Sequence, residues 1–79
     1  MVRLHCCVPF CQRTTPKGLY DEWICQRHWS PVRQQHRRAY NRIRRLLRQS
    51  DGTDDTLCIR AARLWSRVRQ EAINLAVGI

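Results

Sequence analysis

Seventy-nine residues allow one small domain, of a size that often needs a disulfide, a metal or a partner to hold its modest core. Fifteen Lys+Arg against six Asp+Glu leave a formal net charge of +9, a surface that attracts polyanions, acidic proteins or anionic lipid heads. No window approaches the ~20 apolar residues of a helical membrane span.

Residues 1–10, "MVRLHCCVPF", lack the apolar core of a secretory leader. The expected location is therefore the cytoplasm, where thiols stay reduced. Five cysteines, an odd number, fit a disulfide framework poorly. Residues 1–30 hold four of them, Cys6, Cys7, Cys11 and Cys25. Pro16-Lys17-Gly18 reads as a turn, a fixed φ followed by a permissive residue. Short strands are expected around it, at Leu19-Tyr20 and Trp23-Ile24.

A helix is expected over 31–49. Ser30 can cap it and Pro31 tolerates the first helical position. Val32, Ala39, Tyr40, Ile43, Leu46 and Leu47 recur at helical spacing, with His36 on the same arc. The seven arginines of the segment, Arg33, Arg37, Arg38, Arg42, Arg44, Arg45 and Arg48, lie outside that arc. The polar stretch 50–55 breaks the pattern and sets acids where a second helix begins. That helix is expected over 55–77, with a stripe of Leu57, Ala61, Leu64, Trp65, Val68, Ala72, Leu75 and Ala76, and with Gly78 as its stop. Two amphipathic helices on a short loop pack most simply as an antiparallel hairpin. The fold expected is thus a small α-rich zinc-binding domain. Residues 1–30 form a treble-clef-like zinc finger and 31–79 the two-helix hairpin, together one domain.

The zinc expectation comes from ligand spacing. Zn²⁺ takes four ligands in a tetrahedron and favours Cys thiolate and His nitrogen. Cys25 and His28, three residues apart at the start of a helix, face the same way. Cys6 and Cys11, or Cys7 and Cys11, supply the other half by wrapping a turn around the ion. The spacing leaves Cys6 and Cys7 as rivals; Cys6 is preferred. With four protein ligands the site would be closed, hence structural. Its binding free energy, about 10–16 kcal/mol in small fingers, is enough to order a segment with little regular structure. The plainer reading of these cysteines is as small buried hydrophobes.

"Cys6-x4-Cys11…Ile24-Cys25-x2-His28-Trp29", followed by an Arg-rich helix, resembles small zinc-finger proteins of bacteriophages and prophages. It also looks like the short finger found beside some phage HNH endonucleases. Position by position, the resemblance implies Cys6, Cys11, Cys25 and His28 as ligands, and the cytoplasm of a bacterial host as the setting. The catalytic His-Asn-His constellation of those nucleases is missing, so the resemblance implies a zinc protein and not a nuclease.

Other residues point to packing. His36 reads as a boundary core histidine, and Cys58 as a small buried thiol. Trp23, Trp29 and Trp65 are placed in the core although they are able to stack on bases. Asp21 and Glu22 read as exposed. His5 is a lesser substitute ligand. No Ser/His/Asp set, apolar carboxylate pair or Gly-rich phosphate loop is present, so the chain is not expected to be an enzyme.

Two functions compete. In the first, Arg27, Arg33, Arg37, Arg38, Arg42, Arg44, Arg45 and Arg48 contact the phosphate backbone of a nucleic acid; fourteen of the fifteen basic residues are Arg, whose fork suits phosphate. The plainer alternative is a solvated charged face. In the second, the basic face binds an acidic host protein, as a phage-type regulator or inhibitor would, or the hairpin dimerises with a second copy into a bundle. A membrane-surface helix fits less well, since Arg recurs on nearly every turn.

Overall fold

The computed structural model describes residues 2–18 and 22–78. The expected strand at Leu19-Tyr20 lies outside them, as does Asp21.

Two short strands, β1 (Arg3–His5) and β2 (Thr14–Pro16), pair antiparallel with Leu4 opposite Thr15. The β-branched threonines suit the pleat, and Pro16 ends its strand, where a missing N–H costs nothing. The Arg3 guanidinium ties the pair across, Nε donating to Thr14 Oγ1 at 2.8 Å. The expectation of a strand at Trp23-Ile24 is corrected. Trp23 makes one isolated parallel bridge with Cys6, with Cys7 N–H donating to Trp23 O at 2.8 Å. Ile24 and Cys25 turn inward immediately after it, and both are buried, which leaves no length for a ladder.

Between the strands the chain doubles back over Val8-Pro9-Phe10-Cys11. Cys11 N–H donates to Val8 O at 3.2 Å. Pro9 fixes the second turn position, and Phe10 takes the third at φ 73, the backbone signature of a type II turn.

A single helical turn, α1 (Gln26–Trp29), precedes the long helices α2 (Gln34–Gln49) and α3 (Asp55–Val77). α2 starts three residues later than Pro31. Residues 30–33 instead form a turn that drives Val32 into the core at 1 % exposure. Arg33 is the N-cap, in extended conformation and without a side-chain cap bond. The Val32 carbonyl is taken by Arg37 Nε at 2.9 Å. At the other end Gly52 N–H reaches Leu47 O at 2.8 Å and Asp51 N–H reaches Arg48 O at 3.3 Å. That pair of bonds is a Schellman stop, with Asp51 in the left-handed position at φ 55. α3 is capped by Asp54, whose carboxylate accepts from Leu57 N–H at 3.1 Å, and it ends on Gly78 at φ 82.

Two apolar clusters hold these elements. Ile43 and Leu47 of α2 meet Ala61 of α3, with Leu57 and Leu64 packed against them. The other cluster joins both ends of the chain: Cys6, Val8, Ile24, Cys25 and Val32 pack with Val68 and Ala72 of α3. An aromatic seam runs beside it, Trp29 to Tyr40 at 6.1 Å and Tyr40 to Trp65 at 5.4 Å between ring centroids. The apolar stripe of α3 runs out early, with Leu75 47 % exposed; Ile73 packs on the core in its place. Cys58 is exposed rather than buried. It sits in the first turn of α3, opposite the loop rather than a helix, and its thiol reaches Gly52 O at 3.8 Å. No helix among the described residues is long and apolar enough to cross a membrane.

Candidate metal centre

Cys6 follows β1, Cys11 closes the type II turn, Cys25 caps α1 and His28 lies one turn on within it. Each is placed by backbone structure. Cys6 N–H donates to Arg13 O at 3.0 Å, and His28 N–H donates to Cys25 O at 3.1 Å. The ligating atoms of the four residues all lie within 4.8 Å of one another.

The separations discriminate between metal and disulfide. Cys11 Sγ and Cys25 Sγ are 3.8 Å apart, nearly double the ~2.05 Å of a disulfide. His28 Nδ1 is 3.7 Å from Cys6 Sγ and 3.2 Å from Cys25 Sγ. A tetrahedron with metal–sulfur bonds of about 2.3 Å and metal–nitrogen bonds of about 2.05 Å has S···S edges near 3.8 Å and S···N edges near 3.5 Å. The Cys11–Cys25 edge equals the first value, and the two edges to His28 Nδ1 lie on either side of the second. Three sulfurs and one imidazole nitrogen are a soft donor set, suited to a thiophilic, tetrahedral divalent ion. All five cysteines are free thiols.

Electrostatics around the sulfurs point the same way. Burial pushes the Cys6 thiol up to about 11, because a lone thiolate is poorly tolerated there. Cys25 moves the other way. Burial works to raise it, but the His28 backbone N–H and the Cys11 and Cys6 thiols converge on its sulfur and bring it below the usual cysteine value. A cation held among these ligands would offset the cost of burying negative charge on the Cys6 sulfur. The Cys25 N–H donates to Cys6 Sγ at 3.3 Å, a bond that supports negative charge on that sulfur.

Cys7 stands outside the cluster. Adjacent residues in extended backbone point to opposite sides, so with Cys6 turned inward Cys7 faces the other way. Its thiol donates to Glu22 Oε2 at 3.7 Å. Burial raises its pKa, with the Glu22 charge adding to the effect against an opposing Trp23 N–H. His5 lies exposed on β1, also outside the cluster. His36 faces α3, its Nδ1 3.0 Å from Glu71 Oε2.

The arginines do not form one uniform stripe. Arg33 pairs with Glu71 at 3.5 Å and Arg37 holds the Val32 carbonyl, so both are tied to the fold. Arg27, Arg38, Arg42, Arg45 and Arg48 are exposed and Arg44 is half-buried. The sequence places Glu22 as an exposed acid. It is exposed and is also a hub, accepting from Trp65 Nε1 at 3.1 Å and from Arg69 Nη1 at 3.0 Å. Partners 43 and 47 residues away leave no local pattern from which to infer this.

No protein-family model, curated protein or solved structure matches the chain. The functional reading therefore stands on the geometry of the site and the charge around it.

Proposed function

We propose that this is a non-catalytic protein in which Cys6, Cys11, Cys25 and His28 hold one structural Zn²⁺, and that its arginine-rich helix binds nucleic acid. In this reading the amino-terminal third is a treble-clef-like finger, and α2 and α3 form an antiparallel hairpin against it. The observation that carries the metal assignment is the convergence of three sulfurs and one imidazole nitrogen within 4.8 Å of one another, with three of the separations between 3.2 and 3.8 Å, close to tetrahedral edges. Four protein ligands leave no open position for substrate or water, which is the arrangement of a structural ion. Val68 and Ala72 of α3 pack on the same core as Cys6 and Cys25. The ion would thus order the finger and the platform on which α2 presents its guanidinium groups.

Nucleic acid is favoured as partner by the net charge of +9 and by the exposed Arg38, Arg42, Arg45 and Arg48 on one helix. Guanidinium forks suit phosphate, and each phosphate neutralised releases counterions.

Native mass spectrometry before and after denaturation tests the metal: one Zn²⁺ per chain is expected, released on unfolding. A chain without stoichiometric metal, whose amide dispersion is unchanged in EDTA, would refute the assignment. Fluorescence polarisation with labelled DNA and RNA tests the partner. For about four phosphate contacts, affinity should fall about 50- to 150-fold between about 50 and 200 mM salt. Absence of micromolar binding at low salt removes nucleic acid as the partner. A host protein that is captured equally well after nuclease treatment would then identify the partner class as protein.

A further inference from the structure

Beside α2 lies an open cleft of about 520 Å³ whose lining joins the aromatic seam to part of the arginine set. Tyr40, Arg44 and Arg48 follow one another at i, i+4 and i+8, so they form one ridge along the helix. Arg45 belongs to the adjacent row. Trp29 and Trp65 reach the same cleft from α1 and α3. Along the sequence the tryptophans belong with the core and the arginines with the surface. Packing brings both to one site.

Its chemistry narrows the ligand. Arginine alone would serve any polyanion. Aromatic rings half-open to a basic cleft add a second kind of contact, to a flat π-surface. Trp29 meets Tyr40 at 67° and Tyr40 meets Trp65 at 43°, so the three rings are not stacked in parallel on one another. The acid in the cleft, Glu22, already accepts from Trp65 and Arg69, and no other acidic residue lines it among the described residues. A duplex keeps its bases stacked within itself, whereas a single strand offers free base faces between phosphates.

We infer that the cleft binds single-stranded nucleic acid, with an unpaired base against the Trp29–Tyr40–Trp65 seam and flanking phosphates on Arg45 and Arg48. This rests on the nucleic-acid reading above and specifies its substrate class. A purely acidic polypeptide would engage the guanidinium groups but carries no flat π-face for the rings.

The test is a titration of the purified full chain at low salt, followed by intrinsic tryptophan fluorescence and by anisotropy. The probes are a thymidine 12-mer, a blunt duplex of equal length, inorganic pyrophosphate and poly-glutamate. The single strand should bind about tenfold or more tightly than the duplex and quench tryptophan emission. Pyrophosphate should leave the emission unchanged. The exposed-site variant Arg45→Gln/Arg48→Gln should weaken the single strand about tenfold. Trp29→Leu should weaken it about 5- to 100-fold; if that variant does not fold, the wild-type quenching comparison decides. Duplex binding as tight as single-strand binding, without quenching, overturns the cleft assignment and leaves the nucleic-acid reading in place. No binding to either overturns both. Poly-glutamate matching the thymidine strand would assign the cleft to an acidic protein and overturn the inference.

Discussion

Trp65 on α3 donates its indole N–H to the Glu22 carboxylate at 3.1 Å, and through that bond the segment that leads from Cys11 to Cys25 is fastened to the carboxy-terminal helix. The bond has a consequence for pH. It is the main cause that holds Glu22 below its ordinary value of 4.5; burial opposes it and the Arg69 charge assists. A carboxylate whose pKa is lowered by folding stabilises the native state above its unfolded pKa, and that contribution is lost as pH falls through the folded one. Glu22→Gln should therefore cost stability at neutral pH, with the gap to wild type closing below about pH 4. Glu22 has 43 % of its side chain exposed, and solvent screening keeps the gap to about 1 kcal/mol or less. Urea midpoints of both proteins across pH measure it; thiol protonation at acid pH affects both alike and cancels. A gap constant from pH 3 to 7 would remove the charge from the explanation.

Cys6 and Cys7 are neighbours whose thiols turn opposite ways, Cys6 to the Cys/His cluster and Cys7 to Glu22. Cys6→Ser should abolish stoichiometric metal binding and collapse amide dispersion in residues 2–30, because the binding free energy is also the folding free energy of that segment. Cys7→Ser should keep the metal and lose about 1 kcal/mol or less, the worth of one half-exposed hydrogen bond. Metal content by native mass spectrometry, beside amide spectra, separates the two variants. The reverse pattern would make Cys7 the ligand.

The start of α3 depends on one side chain. Asp54→Ala removes the acceptor for Leu57 N–H and should cost about 1 kcal/mol, whereas Asp54→Ser should cost a few tenths. Thermal melts followed by circular dichroism read this directly. Equal losses in both variants would show that charge, not capping, is what Asp54 supplies.

Phe10 holds φ 73 while its side chain is 93 % exposed, so it has backbone strain and little packing to offset it. A non-glycine residue there costs about 1–2 kcal/mol, and glycine costs about 0.5–1 kcal/mol in added unfolded-state freedom. Phe10→Gly should thus gain about 0.5–1 kcal/mol. A denaturant titration that finds a loss of that size would mean that the ring makes a contact the fold depends on.

Local order in the chain determined its helices. The apolar spacing of Ile43 and Leu47, and of Ala61, Val68 and Ala72, marks the faces that are buried, because a helix repeats every 3.6 residues whatever it packs against. The polar break at 50–54 and the glycine at 78 were equally legible, since caps and stops act through neighbours within one turn. The ligand spacing narrowed the Cys/His cluster to four positions and a rival. Only the tertiary structure decided which way each side chain turned. It set Cys6 inward and Cys7 toward Glu22, paired β1 with β2, left Cys58 exposed, and gathered tryptophans and arginines around one cleft. Those outcomes depend on pairs far apart along the chain, and their meeting is fixed by which apolar surfaces pack together, for which no short-range pattern carries the instruction.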